Sequence, residues 1–226
     1  MNRKKFSLRK INTPEYRHLW LLTFWIVYLI AFQALEHRVL PDSQYHFIHC
    51  RLDDFIPFSE YFVVPYLYWF IYMIGMSVYC VFFDKNCFVY YMKLIMITST
   101  AACIAYYVYP TALNLRPAEF ARDNVFTKLT AAIYGFDTST NVCPSMHVTG
   151  TLSTLFASYR AKHMKDRGVR AFMIASAAAI CTSTVFMKQH SFVDVVWGVI
   201  VAVAAYAAVN AHTLAYLSKR VIKIRT

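Results

Sequence analysis

Two histidines, an aspartate and two cations are spaced along this 226-residue chain in a way that suits chemistry on an anion. His190 and Asp194 are four residues apart and share a face if their segment is helical. A carboxylate beside an imidazole fixes its tautomer and favours its charged form. His147 closes the run Cys143-Pro144-Ser145-Met146-His147; proline is a good helix-starting residue, which puts His147 in a first turn. Two helix starts with free N–H groups would then face one pocket, an arrangement that holds anions. Arg116, followed by Pro117, and Lys188 add positive charge, and a guanidinium can grip phosphate through two parallel hydrogen bonds. Two imidazoles, an orienting carboxylate and an anion cradle are the parts used by phosphoryl transfer.

The elements that must carry these residues are apolar helices. Apolar residues make up 58% of the chain and charged residues only 15%, against roughly 45–50% and about 25% in an average soluble domain. This excludes a disordered or collagen-like chain and most water-soluble folds. Six runs free of Asp, Glu, Lys and Arg approach the roughly 17–25 residues that cross a bilayer. They predict spans at about 19–36, 61–83, 94–115, 143–160, 171–188 and 193–217. The expected fold is an all-α integral membrane protein, a six-transmembrane-helix bundle forming a single domain over residues 1–226. The fourth span is apolar only from Met146, so its first turn should lie recessed below the headgroups. The segment after the first span, Gln33-Ala34-Leu35-Glu36-His37-Arg38, has no small-residue cleavage site, so that span reads as retained.

Six spans put both termini on one side. A net charge of +11 would suggest nucleic acid for a soluble protein, but here the basic residues cluster between uncharged runs. Arg3, Lys4, Lys5, Arg9 and Lys10, then Arg160, Lys162, Lys165, Arg167 and Arg170, then Lys219, Arg220, Lys223 and Arg225 read as topology signals and headgroup contacts, with no nucleic-acid partner. The side holding the termini carries 17 Lys/Arg and the other side 6. Both termini are therefore expected in the cytoplasm, with Arg116, His147, Lys188, His190 and Asp194 gathered on the extracytoplasmic face. In the loop over 36–60, Phe47, Ile48, Leu52, Phe55 and Ile56 recur at helical spacing before Pro57. That predicts an outer interfacial helix, with Asp53 and Asp54 on its solvated face. The six cysteines show no CxxC spacing; a Cys50–Cys143 disulfide is left open.

At these residues the chain resembles the type 2 phosphatidic acid phosphatase superfamily of membrane lipid phosphatases and phosphotransferases. The family motifs are K-x6-R-P, P-S-G-H and S-R-x5-H-x3-D. This chain has Arg116-Pro117, then Pro144-Ser145-Met146-His147, then Ser183 followed by His190 and Asp194. The order and the six spans match over roughly residues 109–198. The run Asp53-Asp54-Phe55-Ile56-Pro57-Phe58 through Pro65-Tyr66 is also similar to the branch near inositol phosphorylceramide synthases. The family lysine falls at Tyr109, the glycine at Met146 and the third-motif arginine at Thr184. Two phosphate-binding cations are therefore missing, and Lys188 is the candidate replacement for one.

The resemblance implies that His190 attacks phosphorus to form a phosphohistidine. Asp194 orients His190, and His147 protonates the leaving oxygen and then activates the acceptor. Arg116, Ser145 and Lys188 would hold the phosphoryl oxygens. It implies no metal and no cofactor, a lipid phosphate or phospholipid substrate, and a site on the outer face, with the plasma membrane the expected location. With water as acceptor the protein is a phosphatase; with a lipid alcohol it is a phosphotransferase. The rival readings are a metal or haem protein ligated through His147, His190 and Asp194, and a transporter or scaffold on an inactivated enzyme fold. His37, His46, His49, His163 and His212 read as structural, Arg122 and Lys128 as surface charges, and Tyr109 as part of an aromatic belt.

Overall fold

The computed structural model describes residues 11–38 and 40–225, and for residue 43 and residues 212–225 the course of the backbone only. The basic residues Arg3, Lys4, Lys5, Arg9 and Lys10, and the side chains of His212, Lys219, Arg220, Lys223 and Arg225, lie outside the described residues. The described chain forms eight α-helices: α1 (Thr23–Glu36), α2 (Arg51–Phe55), α3 (Val63–Phe83), α4 (Lys85–Val108), α5 (Val125–Phe136), α6 (Met146–Arg160), α7 (Arg167–Phe186) and α8 (Phe192–Arg225). Five segments are long and apolar enough to cross a membrane: Arg17–Glu36, Glu60–Phe83, Lys85–Val108, Arg167–Phe186 and Phe192–Ala211.

The remaining long element, α6, has 15 residues. At about 1.5 Å per residue it spans roughly 22 Å, short of the ~30 Å hydrocarbon core. It packs against α3, α4, α7 and α8 at the centre of the bundle. Its buried residues are largely small or hydroxylic: Thr149, Gly150, Thr151, Ser153, Thr154, Ala157 and Ser158. Small residues let backbones approach where lipid supplies no hydrophobic drive. A Cβ on Gly150 would come within 2.7 Å of Met73 Sδ on α3. A Cβ on Gly198 would lie 2.8 Å from Val148 Cβ and 3.0 Å from the Ser145 carbonyl oxygen, so α8 rests directly on the start of α6. Large apolar side chains instead project outward from the five long segments, among them Ile30, Phe70, Ile74, Ile104, Phe172 and Ile200.

Two expected boundaries shift. Lack of charge predicts the third span at 94–115, but α4 occupies Lys85–Val108, with Asp84 alone separating it from α3. The Asp84 side chain caps α4 by accepting from Cys87 N at 3.1 Å. At the other end Tyr109 precedes Pro110 and leaves the helical region, as residues before proline do. The uncharged run then continues as β2 (Thr111–Ala112), parallel to β1 (His46–Phe47). Arg116 therefore lies in a loop and does not close a span. The expected interfacial helix over 47–57 contracts to the five residues of α2, with Phe47 in β1.

Asp53 is not on a solvated face: it is 3% exposed, while Asp54 is exposed and accepts from His49 Nε2 at 2.8 Å. All six cysteines are free, Cys50 and Cys143 included. Tyr109 stacks on His46 with centroids 3.7 Å apart. Arg122 pairs with Glu60, and Lys128 with Asp123.

Candidate active site

The starts of α6 and α8, and the ends of α1, α4 and α7, meet at one end of the bundle. The loop into α6 is pinned there. Thr111 Oγ1 accepts from Val142 N (3.0 Å) and Cys143 N (3.1 Å), and Tyr106 Oη donates to the Pro144 carbonyl at 2.7 Å. Ser145 is the N-cap of α6, its Oγ accepting from Val148 N. Its backbone N–H donates to the Asp194 carbonyl at 3.1 Å, which ties the two helix starts together. His147 sits in the first turn of α6. Its ring lies 4.4 Å from both Tyr66 and Trp69 and 5.6 Å from the His190 ring, centroid to centroid.

His190 lies in the short link between α7 and α8, where Gln189 N and His190 N both donate to the Thr184 carbonyl. Asp194 is in the first turn of α8 and fully buried. Its Oδ2 accepts from Ser191 N at 2.9 Å and stands 3.4 Å from His190 Nδ1, within ion-pair range. The expected pairing is present, although His190 itself precedes the helix. Neither His190 Nδ1 nor Asp194 Oδ1 has a hydrogen-bond partner among the described residues. With Nδ1 turned to Asp194, Nε2 is the nitrogen that the carboxylate does not engage.

Both histidines line a cavity of about 870 Å³. Its head is polar, with Gln189, Asp137, Tyr66 and Glu36 beside the imidazoles. Below them it runs between α1 and α3 as an apolar slot. One wall extends from Glu36 to Trp25, the other from Tyr66 to Ser77. Eleven residue steps at about 1.5 Å give each wall a depth of about 16 Å, close to half the ~30 Å hydrocarbon core.

The two cations are placed differently from expectation. Arg116 donates to the carbonyls of Tyr134 (3.1 Å), Asp137 (2.9 Å) and Thr138 (2.9 Å) and to Gln189 Oε1 (2.5 Å). Its guanidinium lies 4.4 Å over the Tyr134 ring. It braces the end of α5 and the two residues after it, and touches the neighbour of His190. Lys188 is buried, with Nζ donating to the carbonyls of Asp53 (2.7 Å) and Ile56 (2.5 Å). Neither lines the cavity. The structure thus brings His147, His190 and Asp194 together over the Ser145 cap, and turns Lys188 to backbone carbonyls and Arg116 to backbone carbonyls and the Gln189 side chain.

Residue spacing alone missed the two carboxylates in the cavity head. Asp137 accepts from Tyr66 Oη at 3.0 Å. Burial pushes its carboxyl above the usual range, although His190, the Tyr66 hydrogen bond and Arg116 pull the other way. Glu36 accepts from Thr138 Oγ1 (2.5 Å) and Asn141 Nδ2 (3.3 Å). The available signal was an acidic residue at the edge of an apolar run, where charge is costly. Burial, helped by Asp194, pushes the nearby Cys143 thiol up to about 12. No group of three or more His, Cys, Asp or Glu side chains suited to a metal ion occurs among the described residues. No protein-family model, no curated protein and no solved structure matches the chain.

Proposed function

We propose that the chain is an integral-membrane lipid phosphatase that hydrolyses a lipid phosphate or diphosphate monoester through a phosphohistidine, of the kind found in the type 2 phosphatidic acid phosphatase superfamily. One observation carries this reading: two imidazoles, one backed by a buried carboxylate, meet at the head of an apolar slot one leaflet deep. The phosphoester takes the polar head and a hydrocarbon chain takes the slot. His190 Nε2 attacks phosphorus, the bond to the leaving oxygen breaks, and His147 gives that oxygen a proton. Asp194 keeps the His190 proton on Nδ1 and balances the charge that develops on the ring. His147, now a base, takes a proton from the acceptor as it attacks the phosphohistidine, which frees His190. In this reading α6 makes a sixth, recessed crossing, both termini face the cytoplasm, and the site opens on the extracytoplasmic side of the plasma membrane.

A phosphotransferase that moves a phospho-headgroup to a lipid alcohol is favoured by the same slot, because an acceptor as well as a donor can arrive from the bilayer between α1 and α3. Purified protein incubated with a panel of lipid phosphates and phospholipids, with and without a lipid alcohol, separates the two. Free phosphate is expected for the phosphatase and a new phosphodiester for the transferase; neither product with any substrate would sink both.

A further inference from the structure

We propose that Asp53 and Lys188 act as a latch between the α2 loop and the α7–α8 link that aims His190 at phosphorus, so that Asp53 is a positioning residue for the reaction. This rests on the function proposed above. Asp53 lines no part of the cavity, yet it is almost fully buried. Its Oδ2 accepts from Ser191 Oγ at 2.6 Å and Cys50 N at 2.8 Å, and its Oδ1 accepts from Phe192 N at 2.8 Å. Two of those three donors are the residues that immediately follow His190.

The return contact comes from the residue two before His190. Lys188 Nζ reaches back to the carbonyls of Asp53 and Ile56. Lys188 also holds a left-handed backbone conformation, φ 53°. A non-glycine residue keeps such a conformation only where its surroundings over-determine it, and here the ammonium bound to the carbonyls of Asp53 in α2 and Ile56 just after it supplies the constraint. His190 is therefore clamped on both sides by α2 and the residue that follows it.

The clamp matters because the ring has little else to aim it. Among the described residues His190 Nδ1 makes no hydrogen bond, and its ion-pair partner Asp194 stands at 3.4 Å. The direction of Nε2 is then set by where the backbone of 188–192 sits. A displacement of about 1 Å at a reacting group, caused from a distance, can cost on the order of 10²-fold in rate.

The test uses the full chain in detergent, as wild type, Asp53→Asn, Ser191→Ala, Ser191→Thr and Lys188→Met. Hydrogen exchange over 188–194 reads the latch without reference to activity. It should rise in Asp53→Asn, Ser191→Ala and Lys188→Met and stay at the wild-type level in Ser191→Thr, which keeps the hydroxyl. With whichever lipid the substrate panel identifies, kcat should fall about 10- to 100-fold in the first three while KM stays within about twofold, and Ser191→Thr should restore it. Should Asp53→Asn fail to fold, the two Ser191 variants carry the comparison. Unchanged exchange, unchanged kcat, or a loss confined to KM would each overturn the proposal. If the wild type acts on no lipid in the panel, the functional reading falls, and the exchange data alone decide whether the latch exists.

Discussion

His147 and His190 face each other across one cavity but have different neighbours, and under the proposed function that difference divides their work. His190 has a buried carboxylate behind Nδ1, as a nucleophile needs; His147 is packed between two aromatic rings, with His190 the imidazole nearest to it. His190→Ala should abolish phosphoenzyme formation, measured by trapping labelled protein under alkaline denaturing conditions, where a phosphohistidine P–N bond survives. His147→Ala should slow leaving-group departure by the 10²–10⁴-fold typical of general acid catalysis. A substrate with a very good leaving group should then partly rescue His147→Ala and never His190→Ala; the opposite pattern would reverse the assignment. Asp194→Asn should keep the fold, since its amide oxygen can still accept from Ser191 N, but lose activity because an amide cannot balance an imidazolium. Activity should also survive EDTA, because the scheme draws its acid, base and nucleophile from side chains; loss on chelation, reversed by zinc, would favour a metal site.

Single elements hold these residues in place, and each can be tested by itself. Gly198→Ala drives a methyl group into Val148 and the Ser145 carbonyl. It should cost about 1–3 kcal/mol, seen as a lower melting temperature, and reduce activity by parting α8 from α6. Gly75→Ala on α3 meets nothing within 4 Å and should be neutral or slightly stabilising. The α2 loop should give an acid-sensitive contribution to stability. Burial alone would raise the Asp53 carboxyl, but hydrogen bonds from Ser191, Phe192 and Cys50 outweigh it and hold the group below its ordinary value. Its stabilising effect is therefore present above the ordinary carboxylate range and is lost as pH falls through the lower, folded-state value. Melting curves across that window should fall for the wild type and flatten for Asp53→Asn.

The His190–Asp194 pair was legible because a four-residue spacing has one geometric meaning near a helix. The positions of Lys188 and Arg116 were not, because all but one of their acceptors are backbone carbonyls, which every residue carries and no pattern marks. The end of α4 was legible in Pro110 and was hidden by reliance on charge. α6 could be read as short from its late apolar start, but its central place needed the packing.

For the whole molecule, the alternation of α1, α3, α4, α6, α7 and α8 between two ends leaves the cavity head at one end and the 161–166 loop at the other. Lys162 N donates to Asp84 Oδ2 there, at 3.1 Å. Exposed positions at each end make the topology testable. Cysteines introduced at Asp123 and Lys165, in a background without the native six, should be labelled from opposite sides of a sealed vesicle, Asp123→Cys from outside. Labelling of Lys165→Cys from outside would reverse the orientation inferred from the 17 to 6 split of basic residues.

The contact from Asp53 to Ser191 joins residues 138 positions apart. At roughly 5–20 residues per second of synthesis, the ribosome needs about 7–28 s to deliver the partner after the carboxylate has emerged. In that interval α2 has no Ser191 or Phe192 donor to dock on, and Lys188 is not yet made to cover its carbonyls. The nascent protein thus acquires α1, α3, α4, α6 and α7 before α2 can dock. Chains stalled before residue 191 should be cut by protease in the 48–58 segment, and chains released after α8 should resist. Biogenesis and activation of this protein would then end at the same step.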